Sequence, residues 1–337
     1  MKIAVFSLQQ YELPFFKKLG EEHGMTFDYY STHLDGSTLS LAKDYPIICC
    51  FVNDSLNENV LQQLAQNGTR FIALRSAGFN HVDLVAAKRL GLIVARVPAY
   101  SPHAIAEHTL GLILTLNRKI HRAYNRVREN DYSLHGLMGF DIHGSTVGII
   151  GTGRIGSRFA KIMTGFDCEL LAYDIEPNPE CEEMGVNYVD LKVLLSQSDI
   201  ISLHCPLNDK TYHLIDGDAF AHMKQGVMLI NTSRGAIVDT KAAIEALKTG
   251  QLGYLGLDVY EEEGDLFFED FSDVVIQDDV ISRLHTFPNV VITGHQAFFT
   301  FQAVHNIVET TIHNINGFIR GSDDYHEVSA DEVLSKS

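Results

Sequence analysis

No apolar run in this 337-residue sequence approaches the roughly 20 residues needed to cross a bilayer, which excludes a membrane-spanning helix. No cleavable leader precedes the strand-like run Ile3-Ala4-Val5-Phe6-Ser7, so a cytoplasmic location is expected. Basic residues are scarce, with 26 Lys and Arg against 43 Asp and Glu for a formal net charge of −17. Without a basic face, neither nucleic acid nor a membrane surface is an expected partner. The five cysteines (Cys49, Cys50, Cys168, Cys181, Cys205) are odd in number and lack zinc spacing, so they read as reduced thiols and no metal site is expected. Adjacent Cys49 and Cys50 should point to opposite faces of one strand. Repeats with a period of roughly 20–50 residues are also missing. What remains is a chain with 45% hydrophobic and 20% charged residues, long enough for two globular domains.

Short apolar runs at 3–7, 26–30, 47–51, 71–74 and 92–95 alternate with helical patterns such as 58–66 and 83–90. Runs of about five buried residues separated by helices indicate parallel sheets covered on both faces. Ser101-Pro102 then opens a long helical segment reaching about 130, apolar nearly all round in its first half and basic later. It reads as a core helix and also as an interdomain or dimer helix. A second series of strands follows at 145–150, 169–173, 200–203, 227–231, 254–258 and 290–293, with a last helix over 302–318 and a polar tail after Gly321. The fold class is α/β with parallel sheets.

Gly151-Thr152-Gly153-Arg154-Ile155-Gly156 follows a strand and opens a helix. In that context Gly151 makes the tight turn, Gly153 lets a pyrophosphate approach the backbone, and Gly156 permits close helix–strand packing. The phosphates would sit on free N–H groups at the helix start. Asp174 ends the next strand 18 positions after Gly156. Its carboxylate can accept ribose hydroxyls and would repel a 2′-phosphate, so NAD is expected over NADP. The alternative is a glycine turn in an α/β domain that binds nothing, with Asp174 a solvated strand end.

Three further strand patterns end in polar clusters: Asn231-Thr232-Ser233-Arg234-Gly235, Asp258-Val259-Tyr260-Glu261-Glu262-Glu263 and Gly294-His295-Gln296. Ligands of open α/β sheets bind beyond the carboxyl ends of strands. Reduction of a 2-keto acid needs a guanidinium for the carboxylate, a proton donor for the nascent alkoxide, and an acid partner that keeps the donor charged. Arg234, His295 and Glu263 supply these roles. Taken singly, each has an ordinary alternative: a surface ion-pair residue, a structural histidine among sixteen, and part of a solvated run of three glutamates.

On these motifs, together with Leu257-Asp258-Val259-Tyr260 and Gly294-His295-Gln296-Ala297-Phe298, the chain resembles the D-isomer-specific 2-hydroxyacid dehydrogenases over nearly its whole length. The family's Arg, Glu and His map to Arg234, Glu263 and His295, and their separations resemble those of its lactate branch. So do Val97-Pro98-Ala99-Tyr100-Ser101-Pro102, the loop Leu266-Phe267-Phe268-Glu269-Asp270 with Val275-Ile276-Gln277-Asp278-Asp279, and the aromatics Phe298 and Phe299. The resemblance implies NADH-dependent reduction of pyruvate to D-lactate with His295 as proton donor. It implies a flavodoxin-like substrate-binding (catalytic) domain from 1–100 plus 297–337, with a Rossmann NAD-binding domain, 101–296, inserted into it. Ala77, Gly78, Tyr100, Arg234 and Phe298 would bind substrate, the two aromatics narrowing the site toward a methyl-sized group. NAD would meet Gly151, Gly153, Arg154, Ile155, Gly156, Asp174, Cys205, Pro206, Thr211, Thr232, Ser233 and Asp258. At Thr211 relatives can carry asparagine. A homodimer through the 101–130 region, or a homotetramer, is implied as well. Other readings stay open here: a bulkier 2-keto acid, glyoxylate or hydroxypyruvate as substrate, or a non-catalytic NAD-sensing corepressor on the same fold.

Overall fold

The structure is a computed structural model that describes residues 1–263, 266–268 and 270–330. Glu269 of the loop singled out above and the end of the polar tail lie outside the described residues. The chain divides into two compact units, Met1–Ser101 with the described residues from Phe298 on, and Pro102–Ala297.

In the first unit the strands β1 (Ile3–Val5), β2 (Phe27–Tyr29), β3 (Ile47–Cys50), β4 (Phe71–Leu74) and β5 (Ile93–Ala95) form one parallel sheet in the order β2-β1-β3-β4-β5. This is the flavodoxin-like doubly wound order. Every residue of β1, β3 and β4 is buried, as a central strand covered on both faces requires. One face packs Val5, Ile47, Cys49 and Phe71 against Val308, Ile312 and Ile315 of the last helix, Phe301–Arg320. The other packs Phe6, Ile48, Cys50 and Leu74 against Val60, Leu61 and Leu64 of the helix Glu58–Gln66. Cys49 and Cys50 thus sit on opposite faces.

The second unit carries β6 (Thr146–Ile150), β7 (Glu169–Tyr173), β8 (Asn187–Tyr188), β9 (Ile200–Leu203), β10 (Val227–Asn231), β11 (Leu252–Leu257) and β12 (Val290–Ile292). All pair in parallel, in the order β12-β11-β10-β9-β6-β7-β8. The chain runs outward from β6 through β7 and β8, returns to β9 on the other side of β6, and runs outward again. The order therefore reverses between β6 and β9, where such sheets open a ligand crevice. Only β8 has no counterpart in the expected strands, because a two-residue strand beginning at exposed Asn187 leaves no apolar run to read.

The segment expected as one helix to about residue 130 is two helices. Pro102–Arg118 lays Ala106, Leu112, Ile113 and Leu116 against Val147, Ile149, Met228 and Ile230 of the sheet. Burial of each such aliphatic side chain contributes on the order of 1.5–3 kcal/mol. The helix stops where burial ends, the apolar residues that follow (Ile120, Tyr124 and Val127) being exposed. Lys119 takes a left-handed backbone (φ 49), and the next helix, Ile120–Arg128, has no buried residue. Asn117 locks the junction, its side-chain amide donating to Phe140 O (2.8 Å) and accepting from Phe140 N–H (2.8 Å). Among the described residues no helix is long and apolar enough to cross a membrane.

Candidate active site

The carboxyl ends of the second sheet are in register. Ile150 pairs with Leu203, Leu203 with Asn231, Asn231 with Leu257, and Leu257 with Ile292. The glycine turn, Cys205, the segment Thr232-Ser233-Arg234, Asp258 and the turn bearing His295 therefore all leave one edge of the sheet.

At the reversal point Gly151 adopts φ 93, and a Cβ there would lie 2.6 Å from the backbone nitrogen of Cys205. A Cβ on Gly156 would lie 1.9 Å from Gly151 O, so helix and strand approach as closely as backbones can. A Cβ on Gly153 would meet nothing within 4 Å, leaving open space over the turn. Gly153 is also the N-cap of the helix Arg154–Met163 and supplies no capping side chain. Two close-packed glycines, one open glycine and uncapped helix N–H groups form a cradle that fits a dinucleotide pyrophosphate. Arg154 is exposed and Ile155 half-buried at the start of the helix.

Asp174 accepts from Thr152 N–H (2.6 Å) and Thr152 Oγ1 (3.0 Å) on one oxygen and from Glu176 N–H (3.3 Å) on the other. A carboxylate has about four acceptor positions, so capacity for hydroxyls remains. Tyr188 and Asn178 brace the same threonine by bonds to its Oγ1 (2.7 Å) and its carbonyl (2.8 Å). Sequence reading missed these braces, because they lie well beyond the turn along the chain. Cys205 is a buried thiol whose pKa burial raises to about 11, so it stays protonated. Its carbonyl accepts from Ser233 Oγ (2.5 Å), and Thr211 Oγ1 donates to Pro206 O (2.6 Å), shaping the loop after β9. Thr232 is tied to Thr109 hydroxyl to hydroxyl (2.9 Å).

Glu263 and His295 meet directly. Glu263 Oε1 lies 2.9 Å from His295 Nδ1, and Oε2 accepts from Tyr260 N–H (2.9 Å). Both side chains keep about a quarter of their surface exposed (25% and 27%). With the carboxylate on Nδ1, that nitrogen carries a proton, and Nε2 has no protein partner among the described residues. His295 sits at φ 50, a left-handed backbone that costs an L residue roughly 1–2 kcal/mol. Such strain persists only where the surroundings impose it.

Arg234 leaves the adjacent strand end. Its guanidinium donates to the Ser233 carbonyl (2.7 Å) and has no carboxylate partner among the described residues. Asn231 sets the backbone around it, donating to Arg234 O (2.8 Å) and accepting from Ser233 N–H (3.0 Å). No bond joins Arg234 to Glu263 or His295 among the described residues. What unites the three is departure from the ends of neighbouring strands β10, β11 and β12. Glu261 is engaged elsewhere, paired with His213 (2.6 Å).

Asp258, expected beside NAD, is fully buried (0% exposed). It accepts from Thr293 Oγ1 (2.5 Å) and from the N–H groups of Gln296 (2.9 Å) and Ala297 (2.8 Å). As placed, it holds the turn that carries His295. In the first unit, Ala77 O accepts from Arg96 (2.9 Å) and Gly78 O from Ser76 Oγ (2.6 Å), while the Tyr100 and Phe298 rings pack edge to face with centroids 6.0 Å apart. Among the described residues no group of three or more His, Cys, Asp or Glu side chains could hold a metal ion.

The fold and this edge describe an NAD-dependent oxidoreductase, and comparison with known proteins states the class. Residues 110–297 match the D-isomer specific 2-hydroxyacid dehydrogenase, NAD binding domain. The chain is 51% identical over 321 residues to D-lactate dehydrogenase of Escherichia coli, covering 95% of this chain and 98% of that protein. It is 51% identical over 325 residues to 2-hydroxyacid dehydrogenase homolog 1 of Schizosaccharomyces pombe, covering 96% and 98%. The apo structure of the E. coli D-lactate dehydrogenase superposes with a TM-score of 0.90 at 47% identity, covering 97% of this chain and all of that one (100%). The chain belongs to the D-isomer-specific 2-hydroxyacid dehydrogenase family, whose members use NAD.

Proposed function

We propose that the protein reduces pyruvate to D-lactate, with the second unit holding the cofactor and the first binding substrate. The observation that carries this reading is the Glu263–His295 pair, with Arg234 leaving the neighbouring strand end and paired with no carboxylate among the described residues. NADH, when bound, supplies the hydride that converts the ketone to an alcohol. The glycine turn 151–156 would hold its pyrophosphate and Asp174 its ribose.

Arg234 offers the substrate carboxylate a planar, permanently charged fork. His295, charged and hydrogen-bonded to Glu263 through Nδ1, presents Nε2–H to the carbonyl oxygen. After the proton moves, the ring is neutral, with Nδ1–H still on Glu263 and Nε2 free to regain a proton from water. The same neutral ring can accept the hydroxyl proton when lactate is oxidised. Glu263 thus sets the tautomer and holds the ring in place. The identity to a D-lactate dehydrogenase supports pyruvate as the 2-keto acid.

The test is a panel of 2-keto acids (pyruvate, 2-ketobutyrate, glyoxylate, hydroxypyruvate) with NADH, followed by chiral analysis of the product. Pyruvate should give the highest kcat/KM and the D enantiomer. A tenfold preference for another acid would reassign the substrate, and L-lactate would overturn the stereochemistry.

A further inference from the structure

We infer that His108 is a positioning residue for this reaction, fixing through Thr293 and the Asp258 carboxylate the turn that presents His295. The inference rests on the reading of His295 as proton donor.

The left-handed backbone at His295 needs to be imposed by its neighbours. Its N–H donates to Asp258 O (2.8 Å) and Thr293 O (3.0 Å). The next two N–H groups, of Gln296 and Ala297, go to the two oxygens of the Asp258 carboxylate. One buried residue therefore grips the turn at three successive positions. A carboxylate with no access to water needs hydrogen-bond partners around both of its oxygens.

His108 stands on its remaining side, with Nε2 at 3.3 Å from Asp258 Oδ1 and 3.0 Å from Thr293 Oγ1. The single hydroxyl proton of Thr293 is directed to Asp258 Oδ1 (2.5 Å). For Thr293 to accept from His108, Nε2 must carry a proton, which selects one tautomer or the cation. No other Lys, Arg or His side chain pairs with Asp258 among the described residues. The base is rigid, because the helix Pro102–Arg118 is packed along the sheet. The next residue, Thr109, ties to Thr232 just before Arg234 (2.9 Å). Consecutive residues of one helix thus brace all three strand ends. His108 is thus assigned to act through Asp258 and Thr293.

Three variants test this: His108→Leu, His108→Gln, which keeps an N–H donor, and Thr293→Val, which removes the bridging hydroxyl. Displacement of a reacting group by about an ångström can cost up to about 100-fold, so His108→Leu should lower kcat by about 10- to 100-fold. NADH affinity should change little, and His108→Gln should recover most of the turnover. In the ligand-free protein, the ¹⁵N ring signals of His295 should move in His108→Leu and Thr293→Val but stay near their places in His108→Gln. If His108→Leu folds poorly, Thr293→Val carries the same expectations. Unchanged His295 signals and turnover in both would overturn the inference. So would equal losses in the Leu and Gln variants accompanied by lost NADH binding, since that marks a purely structural histidine. Failure of the proton-donor reading is distinct: it would show as full turnover in His295→Ala, whereas the ring signals report the brace without any reaction.

Discussion

Both units are doubly wound parallel sheets that reverse direction beside their first strand, yet they treat the resulting crevice in opposite ways. In the second unit the reversal between β6 and β9 is lined by glycines and left open. In the first, the reversal between β1 and β3 is filled by the chain's own guanidinium. Arg75, buried (1% exposed), donates to Phe6 O (2.9 Å), Ser7 O (3.0 Å) and Glu12 (2.9 Å). Burial works against its charge, but Glu12 and then Cys49 outweigh it and leave its pKa raised. Nearby, Asp54 takes the hydroxyl of Ser7 (2.6 Å) and the N–H groups of Leu34 (2.7 Å) and Phe51 (2.6 Å). One topology therefore yields a plugged crevice and a dinucleotide cradle. What separates them is whether small residues or an internal ion pair occupy the strand ends.

The largest effect is expected from unplugging the first crevice. Arg75→Met leaves Glu12 buried without its partner, which should cost about 3–5 kcal/mol of stability in urea unfolding. Adding Glu12→Leu should return part of it, while NADH binding stays unaltered. A loss below about 1 kcal/mol would show the pair to be replaceable by water.

The opposite intervention closes the cradle. Gly156→Ala drives a Cβ to within 1.9 Å of a backbone oxygen and should cost more than about 3 kcal/mol or abolish NADH binding. Gly153→Ala places its Cβ in open space, so the melting temperature should hold while NADH affinity falls about tenfold, or 1.4 kcal/mol. Equal behaviour of the two variants in melting and in NADH titration would erase the distinction between packing glycine and ligand glycine.

A smaller effect sharpens the comparison through one histidine in each unit. Burial lowers the pKa of His81 to about 4 and that of His204, beneath the glycine turn, to about 3, both from 6.5. Each ring is neutral when folded and binds a proton more readily when unfolded. Their contribution to stability is complete above about pH 6.5 and is lost as the pH falls toward 4 and then 3. Each should add up to about 1.4 kcal/mol per pH unit to the acid-side slope. His204→Asn and His81→Asn should each flatten that slope in denaturation series between pH 4 and 6.5; an unchanged slope would contradict neutral burial.

Much of the fold was legible because central strands covered on both faces leave uninterrupted apolar runs, as in Ile47-Ile48-Cys49-Cys50. The glycine turn was legible because its spacing is dictated by backbone contacts. The helix break at Lys119 was not, since a left-handed lysine within a basic helical pattern carries no local mark. Arg75 follows a strand and reads as an ordinary polar loop residue; only the fold shows that it points inward. Asp258 illustrates the limit most clearly. A strand-end aspartate can face a ligand or its own chain, and the choice depends on Thr293, Gln296, Ala297 and His108, which lie far away in sequence. His108 was hidden for the same reason, since its partners Asp258 and Thr293 lie far along the chain.

The most direct test of the central claim is the kcat of His295→Ala for pyruvate reduction, with NADH affinity measured alongside. Loss of the proton donor should lower turnover by about 10²–10⁴-fold while NADH still binds. Undiminished turnover in that variant would contradict the assignment of His295, and with it the proposal that the ends of β10, β11 and β12 act together on one ketone.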